Sequence, residues 1–324
     1  MLKLGYALSA EEHVPNNLVR HARLAEDSGF TFALISDHFH PWVDAQGQSP
    51  FVWAVLGGIA HATQRLQIGT GVTCPIMRIH PAIIAQAAAT VGAMMPGRFF
   101  LGLGTGENLN EHIFGDRLPA YDLRASMFEE AIEIIRMLWE GENTSYYGDY
   151  FTVENARIYT LPDQPIPIML AAAGPQAAEM AGSLGDGLIS TSPDKEVVEI
   201  FESEKSDRPK YAQMTVCYHE SEQEARKLAH KIWPIAGLPG ELSQELSTPA
   251  HFEQAAQLVT EDKVAEMVVC GPDPRRHLEL IQKYVDAGFD HVYVHQVGPD
   301  QEGFMRFYRE KIMPEIRELA SASR

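Results

Sequence analysis

Short apolar runs alternate with amphipathic stretches along the whole chain. Residues 2–8, 31–36, 66–72, 98–102, 166–171, 187–191, 213–218, 267–270 and 291–295 are rich in Val, Ile, Leu and Phe and read as largely buried strands. Between the first two, residues 16–28 place Leu18, Ala22, Leu24 and Ala25 on one helical face and stop at Gly29. Helices are also expected over 50–63, 81–95, 120–140, 176–184, 275–287 and 301–319. Pro81 opens its helix where a missing N–H costs nothing. Residues 146–154, centred on Gly148-Asp149, read as a hairpin. Strands that recur with helices between them form a parallel sheet. About eight core strands define an α/β fold, a (β/α)8 TIM barrel with insertions between strands. A doubly wound sheet is the competing architecture, but no Gly-x-Gly-x-x-Gly turn follows the first strand. Residues 1–324 then form one domain. A mixed helical stretch at about 220–262, broken by Leu238-Pro239-Gly240, is an insertion.

Composition narrows the partners. The 324 residues suffice for one large core, and 45% hydrophobic with 22% charged content is ordinary for a soluble protein. With 44 acidic and 26 basic side chains the formal net charge is −18. That balance disfavours nucleic acid and anionic membrane surfaces, which attract basic proteins. Cys74, Cys217 and Cys270 form no Cys-x-x-Cys pair, so neither a metal site nor a disulfide framework is expected. Three scattered thiols suit a reducing cytoplasm. No charged leader with a long apolar run precedes residue 2, and no apolar stretch reaches the ~18 residues of a membrane span. A small-molecule substrate remains the natural partner.

In such a barrel, chemistry gathers where the strands end. The richest strand end is Ser36-Asp37-His38-Phe39-His40-Pro41-Trp42, which puts an acid, two imidazoles and an indole together. Other ends carry Ser9, Glu11 and Glu12; Gly71, Val72, Thr73 and Cys74; Gly104-Thr105-Gly106-Glu107 with Asn108 and Asn110; Ala171-Ala172-Ala173-Gly174-Pro175; and Thr191-Ser192. Each has a plain structural reading beside the functional one. A histidine past a strand is more often hydrogen-bonded into the fold, and His40 rivals His38, or else fixes the loop. Trp42 reads equally as a core aromatic. Glu107 reads equally as a helix cap. The Gly-Thr-Gly run reads as turn geometry, and Cys74, before Pro75, as a buried filler. Ala173-Gly174-Pro175 opens a helix whose N-terminus suits phosphate, or makes only a tight turn.

The strand ends Ser36–Trp42, Gly69-Thr70-Gly71-Val72-Thr73-Cys74-Pro75 and Gly102-Leu103-Gly104-Thr105-Gly106-Glu107-Asn108-Leu109-Asn110-Glu111 resemble those of coenzyme F420-dependent dehydrogenases, in the luciferase-like superfamily. Residues 170–191, including Gly185-Asp186-Gly187, fit the same pattern, and the likeness spans essentially the whole chain. The resemblance implies a TIM barrel, usually a homodimer, with the deazaflavin F420 across its mouth and hydride exchanged with a CH–OH or C=O group. It implies that His38 takes the substrate hydroxyl proton, Trp42 sits beside developing cationic character or orients the alcohol, Glu107 manages a proton near the deazaflavin, and Glu11 is a further carboxylate of the pocket. Cofactor contacts would fall at Asp37, Gly71, Val72, Cys74, Thr105, Gly106, Asn110, Ala173, Gly174, Gln176 and Ala177. A cis peptide is implied at Gly71–Val72. Chemistry agrees with the borrowed roles, because alcohol oxidation needs a base as hydride departs and imidazole serves near neutral pH.

The chain departs from the sugar-phosphate branch, which binds phosphate through a threonine, two lysines and an arginine. Thr191 keeps the threonine and Lys195 lies one residue past the first lysine, so both are candidate substrate contacts. Gln254 stands at the second lysine, and Glu266-Met267 stand where a Lys-Arg pair is expected. Lys263 is a candidate replacement. Segments 37–42 and 73–78 resemble the alcohol branch, so a neutral alcohol or its carbonyl product is expected rather than glucose 6-phosphate. Two other readings remain: an FMN-dependent monooxygenase of the wider superfamily, and a non-catalytic flavin-binding relative.

Overall fold

The computed structural model describes residues 2–204, 207–240 and 242–316. Its strands are β1 (Lys3–Leu8), β2 (Phe32–Ile35), β3 (Gln67–Thr70), β4 (Phe99–Leu103), β5 (Thr144–Tyr147), β6 (Thr152–Ala156), β7 (Ile168–Ala171), β8 (Gly187–Ser190), β9 (Lys210–Cys217), β10 (Val269–Cys270) and β11 (His291–Gln296). β1, β2, β3, β4, β7, β8, β9 and β11 pair in parallel in that order. The ring closes where β11 meets β1, with Gly5 opposite Tyr293. This is the expected (β/α)8 TIM barrel. Parallel pairing puts every strand's carboxyl end at one mouth.

Alternation along the strands sorts two cores. Ala7, Phe32, Leu34, Phe100, Met169, Ile189, Tyr211 and Tyr293 fill the barrel interior. The alternate residues, such as Leu4, Ala33, Ile35, Ile68, Val292 and Val294, pack outward against the helices. Fully burying a Val, Leu, Ile or Phe side chain contributes about 1.5–3 kcal/mol. Helix starts are fixed locally. Pro15, Pro81, Pro175, Pro249 and Pro274 occupy first turns. The Ser221, Thr248, Thr260 and Asp273 side chains each accept from a first-turn N–H.

Two expected elements differ. Residues 267–270 are not a core strand: Met267 ends the helix Glu261–Met267, and only Val269–Cys270 pairs, beside Val216–Cys217 of β9 and outside the closed ring. Thr260 caps that helix, whose last turn takes Met267 and leaves Val268 extended. The ring is completed instead by β9, which begins at Lys210, three residues before its expected start. The closing helix is α-helical over Gln301–Phe307, then makes a π turn over Tyr308–Ile312. Tyr308 is tied there to His277 Nδ1 at 2.9 Å and packs on Phe304 with ring centroids 4.4 Å apart. Residues 317–319 of the expected helix lie outside the described residues. Helix Lys195–Glu204 escaped the reading, although Val197, Val198 and Phe201 share its buried face. Among the described residues of 220–262 lie helices Glu222–Ile232, Leu242–Glu245 and Pro249–Ala256.

One strand position is set by close backbone approach. A Cβ on Gly102 would lie 1.9 Å from the Thr70 carbonyl oxygen, while Thr70 Oγ1 bonds the Gly102 carbonyl at 2.7 Å. Gly102→Ala must therefore part β3 from β4. We expect a loss of about 3 kcal/mol or more, read as a lower urea midpoint at unchanged slope.

Candidate active site

Three strand ends converge on His38. Its Nε2 lies 3.3 Å from Glu11 Oε1, past β1, and 3.2 Å from Glu107 Oε1, past β4. Its Nδ1 meets the His40 carbonyl at 3.3 Å, so Nδ1 carries a hydrogen and Nε2 is the nitrogen turned to the carboxylates. Glu11 is fixed from its other oxygen: Ser36 Oγ donates to Oε2 at 2.6 Å and Ser9 Oγ at 3.0 Å. Glu107 accepts from Asn110 Nδ2 at 2.7 Å. Asn110 also ties the loops together, because its Oδ1 accepts from Phe39 N at 2.8 Å and His40 N at 3.2 Å. Trp42 flanks the imidazole, ring centroids 5.0 Å apart and planes at 57°. Phe252 from the insertion stands edge-on behind Trp42 at 5.2 Å.

The surroundings settle several open readings. Glu107 occupies the N-cap position of Asn108–Glu111 but makes no side-chain cap bond, so its carboxylate is free to face His38. His40 fixes the loop, through Nδ1 to the Leu109 carbonyl at 2.9 Å. Trp42 is only half-buried and forms a wall rather than core. Cys74 is buried under Gly106: a Cβ on Gly106, where φ is +81°, would lie 2.6 Å from Cys74 Sγ. Burial first, and then the Glu111 carboxylate, push that thiol well up, which disfavours the reactive thiolate. The Gly71–Val72 peptide is cis. The Thr105 and Gly106 carbonyls accept from buried Arg124, at 3.4 and 2.7 Å, which pins the Gly-Thr-Gly turn.

Asp37 is buried with both oxygens engaged, Oδ2 by Thr73 Oγ1 at 2.7 Å and Oδ1 by Arg78 Nη2 at 2.8 Å. It braces the site from beneath. Ala173 and Gly174 follow β7, and Gln176 and Ala177 lie in the first turn of helix Pro175–Leu184, at the same mouth. Thr191 is exposed past β8, with its carbonyl accepting from Tyr284 Oη at 3.4 Å. Lys195 is exposed and paired with Glu199 at 3.3 Å. Sequence reading missed Arg78, Arg124 and Phe252, and the clip made by Asn110. Only the Ser9 and Ser36 hydroxyls beside Glu11 had left a signal, as small polar residues at strand ends. A second buried pair, Glu12 with His295 at 2.8 Å, stands further round the mouth.

The electrostatics follow from this packing. Burial opposes charge on His38, but Glu11, then Glu107 and Asp37, outweigh it and raise the imidazole above its ordinary value. Burial also opposes charge on Glu11, yet His38 and the Ser36 bond outweigh it and hold Glu11 low. Burial raises Glu107; His38 offsets this only in part, and Glu11 adds to the rise. The site therefore holds a fixed anion, a basic imidazole and a second carboxyl able to carry a proton.

A barrel with an imidazole between a buried and a half-buried carboxylate at its mouth is built for proton transfer. Residues 2–291 match the family described as luciferase-like monooxygenase, and the chain belongs to that family. It is 36% identical over 329 residues to an F420-dependent glucose-6-phosphate dehydrogenase of Microbacterium testaceum, covering 98% of each chain. It is 36% identical over 333 residues to the same-named protein of Amycolatopsis mediterranei, covering 98% of this chain and all of the relative. Among solved structures, an F420-dependent secondary alcohol dehydrogenase in complex with an F420-acetone adduct superposes with a TM-score of 0.89. That pair is 30% identical, and 96% of this chain and 98% of that one are covered. No helix among the described residues is long and apolar enough to cross a membrane.

The raised histidine makes a signed prediction. A group whose pKa rises on folding stabilises the native state fully below its ordinary value of 6.5, and that support is lost as pH climbs through the raised value. Glu11, held low, gives support that is present above its ordinary value and lost as pH falls through the lowered one. His38→Gln is therefore expected to cost about 1–3 kcal/mol near pH 6 and less near pH 9, read by urea unfolding at both. An equal cost at the two pH values contradicts the assignment.

Proposed function

We propose that this protein is a coenzyme F420-dependent oxidoreductase that exchanges a hydride between the deazaflavin and a neutral CH–OH/C=O pair. The observation that carries the reading is His38 Nε2 held between Glu11 and Glu107 at the barrel mouth. The likeness to relatives named for F420, over nearly the full chain, supports the choice of cofactor.

The residues present fit such a group. The turn at Gly106 stays bare of a side chain because Cys74 fills the space beneath it. A Cβ built on Gly174 meets nothing within 4 Å, so that end of the mouth is open. The adjoining first turn leaves the Gln176 and Ala177 N–H groups without intrahelical acceptors, suited to an anionic tail. Thr105, Gly106, Ala173, Gly174, Gln176 and Ala177 would hold the cofactor directly, with Val72 beneath the turn; Asp37 and Asn110 would act by shaping the loop. When bound, F420 accepts or returns hydride at a ring carbon.

The protein's own part is proton management. In oxidation, Nε2 of His38 takes the hydroxyl proton, and the field of Glu11, Glu107 and Asp37 makes it a stronger base. In the reverse direction the imidazolium returns that proton to the carbonyl oxygen. Glu11 stays ionised as its counter-ion, while Glu107, held high, takes or gives a proton beside it. Trp42, backed by Phe252, keeps water from the imidazole and orients the alcohol.

Sugar phosphate is disfavoured by charge. Lys195 is engaged by Glu199, Lys263 by Glu266 at 2.8 Å, and Gln254 is neutral. Charge-assisted bonds worth about 1.5–3 kcal/mol each are thereby forgone. The free, buried cysteines suit a cytoplasmic setting, and we read the chain as one domain that pairs as a homodimer.

Secondary alcohols should bleach the absorbance of oxidised F420, with glucose 6-phosphate at least about tenfold poorer in kcat/KM. His38→Ala should lower kcat/KM by about 10²–10⁴-fold. A parallel titration with FMN should show weaker binding; tight FMN binding with no F420 turnover overturns the reading.

A further inference from the structure

We propose that Arg78 is a positioning residue that locks the loops bearing His38 and Glu107 together and offsets the buried acidic charge behind them. The inference rests on the proposed function only in naming that pair as the working groups. Arg78 lies past β3, with its side chain 6% exposed. Its Nη2 donates to Asp37 Oδ1 at 2.8 Å and to the Asp37 carbonyl at 3.3 Å. Its backbone N–H donates to Glu111 Oε2 at 2.9 Å, and its Nε lies 3.9 Å from Glu111 Oε1. Asp37 immediately precedes His38, and Glu111 immediately follows the Asn110 that holds Glu107. One residue thus joins the ends of β2, β3 and β4 directly under the site.

The charges facing these groups come from several elements. His38 faces Glu11 from the β1 end, Glu107 from the β4 end and Asp37 on its own loop. Arg78 faces Asp37, Glu111 and the Cys74 thiol. Glu107 faces His38, Glu11 and Arg78, and His295 from β11 acts on Glu11. Removing the guanidinium leaves the buried Asp37 carboxylate without its cation; burial already pushes the neighbouring Glu111 up to about 7. The Asp37 charge then acts on the neighbouring imidazole unopposed and favours its protonated form. Simple loosening has the opposite sign, because water entering the site returns His38 toward its ordinary value. The direction of the shift separates the two.

The test is a histidine-selective NMR titration of the cofactor-free protein, with the His38 signal assigned by its loss in His38→Gln. We expect Arg78→Gln to raise the His38 midpoint by about one pH unit and Arg78→Lys, which keeps the charge, to raise it distinctly less. Asp37→Asn should lower it, and this variant carries the test where Arg78→Gln does not fold. A midpoint that stays or falls in Arg78→Gln, equal shifts in the two Arg78 variants, or an unmoved midpoint in Asp37→Asn overturns the proposal. These readouts need neither F420 nor substrate, so they stand apart from any failure of the proposed reaction. Where the wild type turns over alcohol, Arg78→Gln should lower kcat about 10²-fold while the F420 Kd holds. An unaltered kcat overturns it as well.

Discussion

Two ionised carboxylates cannot crowd together out of water unless something positive stands between them. In this protein that something is the His38 imidazole, 3.3 Å from Glu11 and 3.2 Å from Glu107. The constraint works both ways. The carboxylates make His38 a stronger base, and the imidazolium keeps Glu11 ionised despite its burial. Burying the set without hydrogen bonds would be costly, and the structure supplies them: Ser9 and Ser36 to Glu11, Asn110 to Glu107, and His38 Nδ1 to the His40 carbonyl. A proton can therefore move within the site while the heavy atoms keep their places.

The barrel makes this possible because its strands are parallel. Glu11, His38 and Glu107 are far apart in the chain but follow β1, β2 and β4, whose carboxyl ends share one mouth. Closing the gap left by β3 is a backbone matter. Gly102 permits the near contact with Thr70, and Thr73 continues the pairing opposite Leu103. The same strand end then sends Thr73 and Arg78 to Asp37, so the support beneath His38 comes from its neighbour in the ring.

The frame was legible because buried parallel strands are apolar without alternation, and because Pro, Ser, Thr and Asp mark helix starts locally. The 267–270 run misled because a short apolar segment has no period of its own: the helix capped at Thr260 takes Met267, and only Val269–Cys270 is left to pair, at the edge of β9. His38, Trp42, Glu107 and Glu11 were visible as polar residues at strand ends, and their roles came from resemblance. Arg78 and Phe252 were not visible. Each acts through a partner many residues away, Asp37 for one and Trp42 for the other, and sequence spacing carries no sign of that. The Asn110 amide joins Phe39, His40 and Glu107, and residue type alone does not reveal which bonds a side chain will make.

An acidic protein that takes an anionic cofactor looks like a conflict, but distance resolves it. The formal charge of −18 is spread over the whole chain, and at physiological salt its field decays over roughly 8 Å. What decides binding is the local set. At the mouth the His38–Glu11–Glu107 group is internally compensated, and Arg78 offsets Asp37 and Glu111 behind it. The first turn of Pro175–Leu184 adds neutral N–H donors with the favourable end of a helix dipole. Donors of that kind hold an anion without adding a mobile cation beside the base. An ammonium set close to Nε2 would draw the imidazole down and weaken it as a proton acceptor. Lys195 and Lys263, each bound to a glutamate on an exposed face, are consistent with a mouth that keeps free cations away from its histidine.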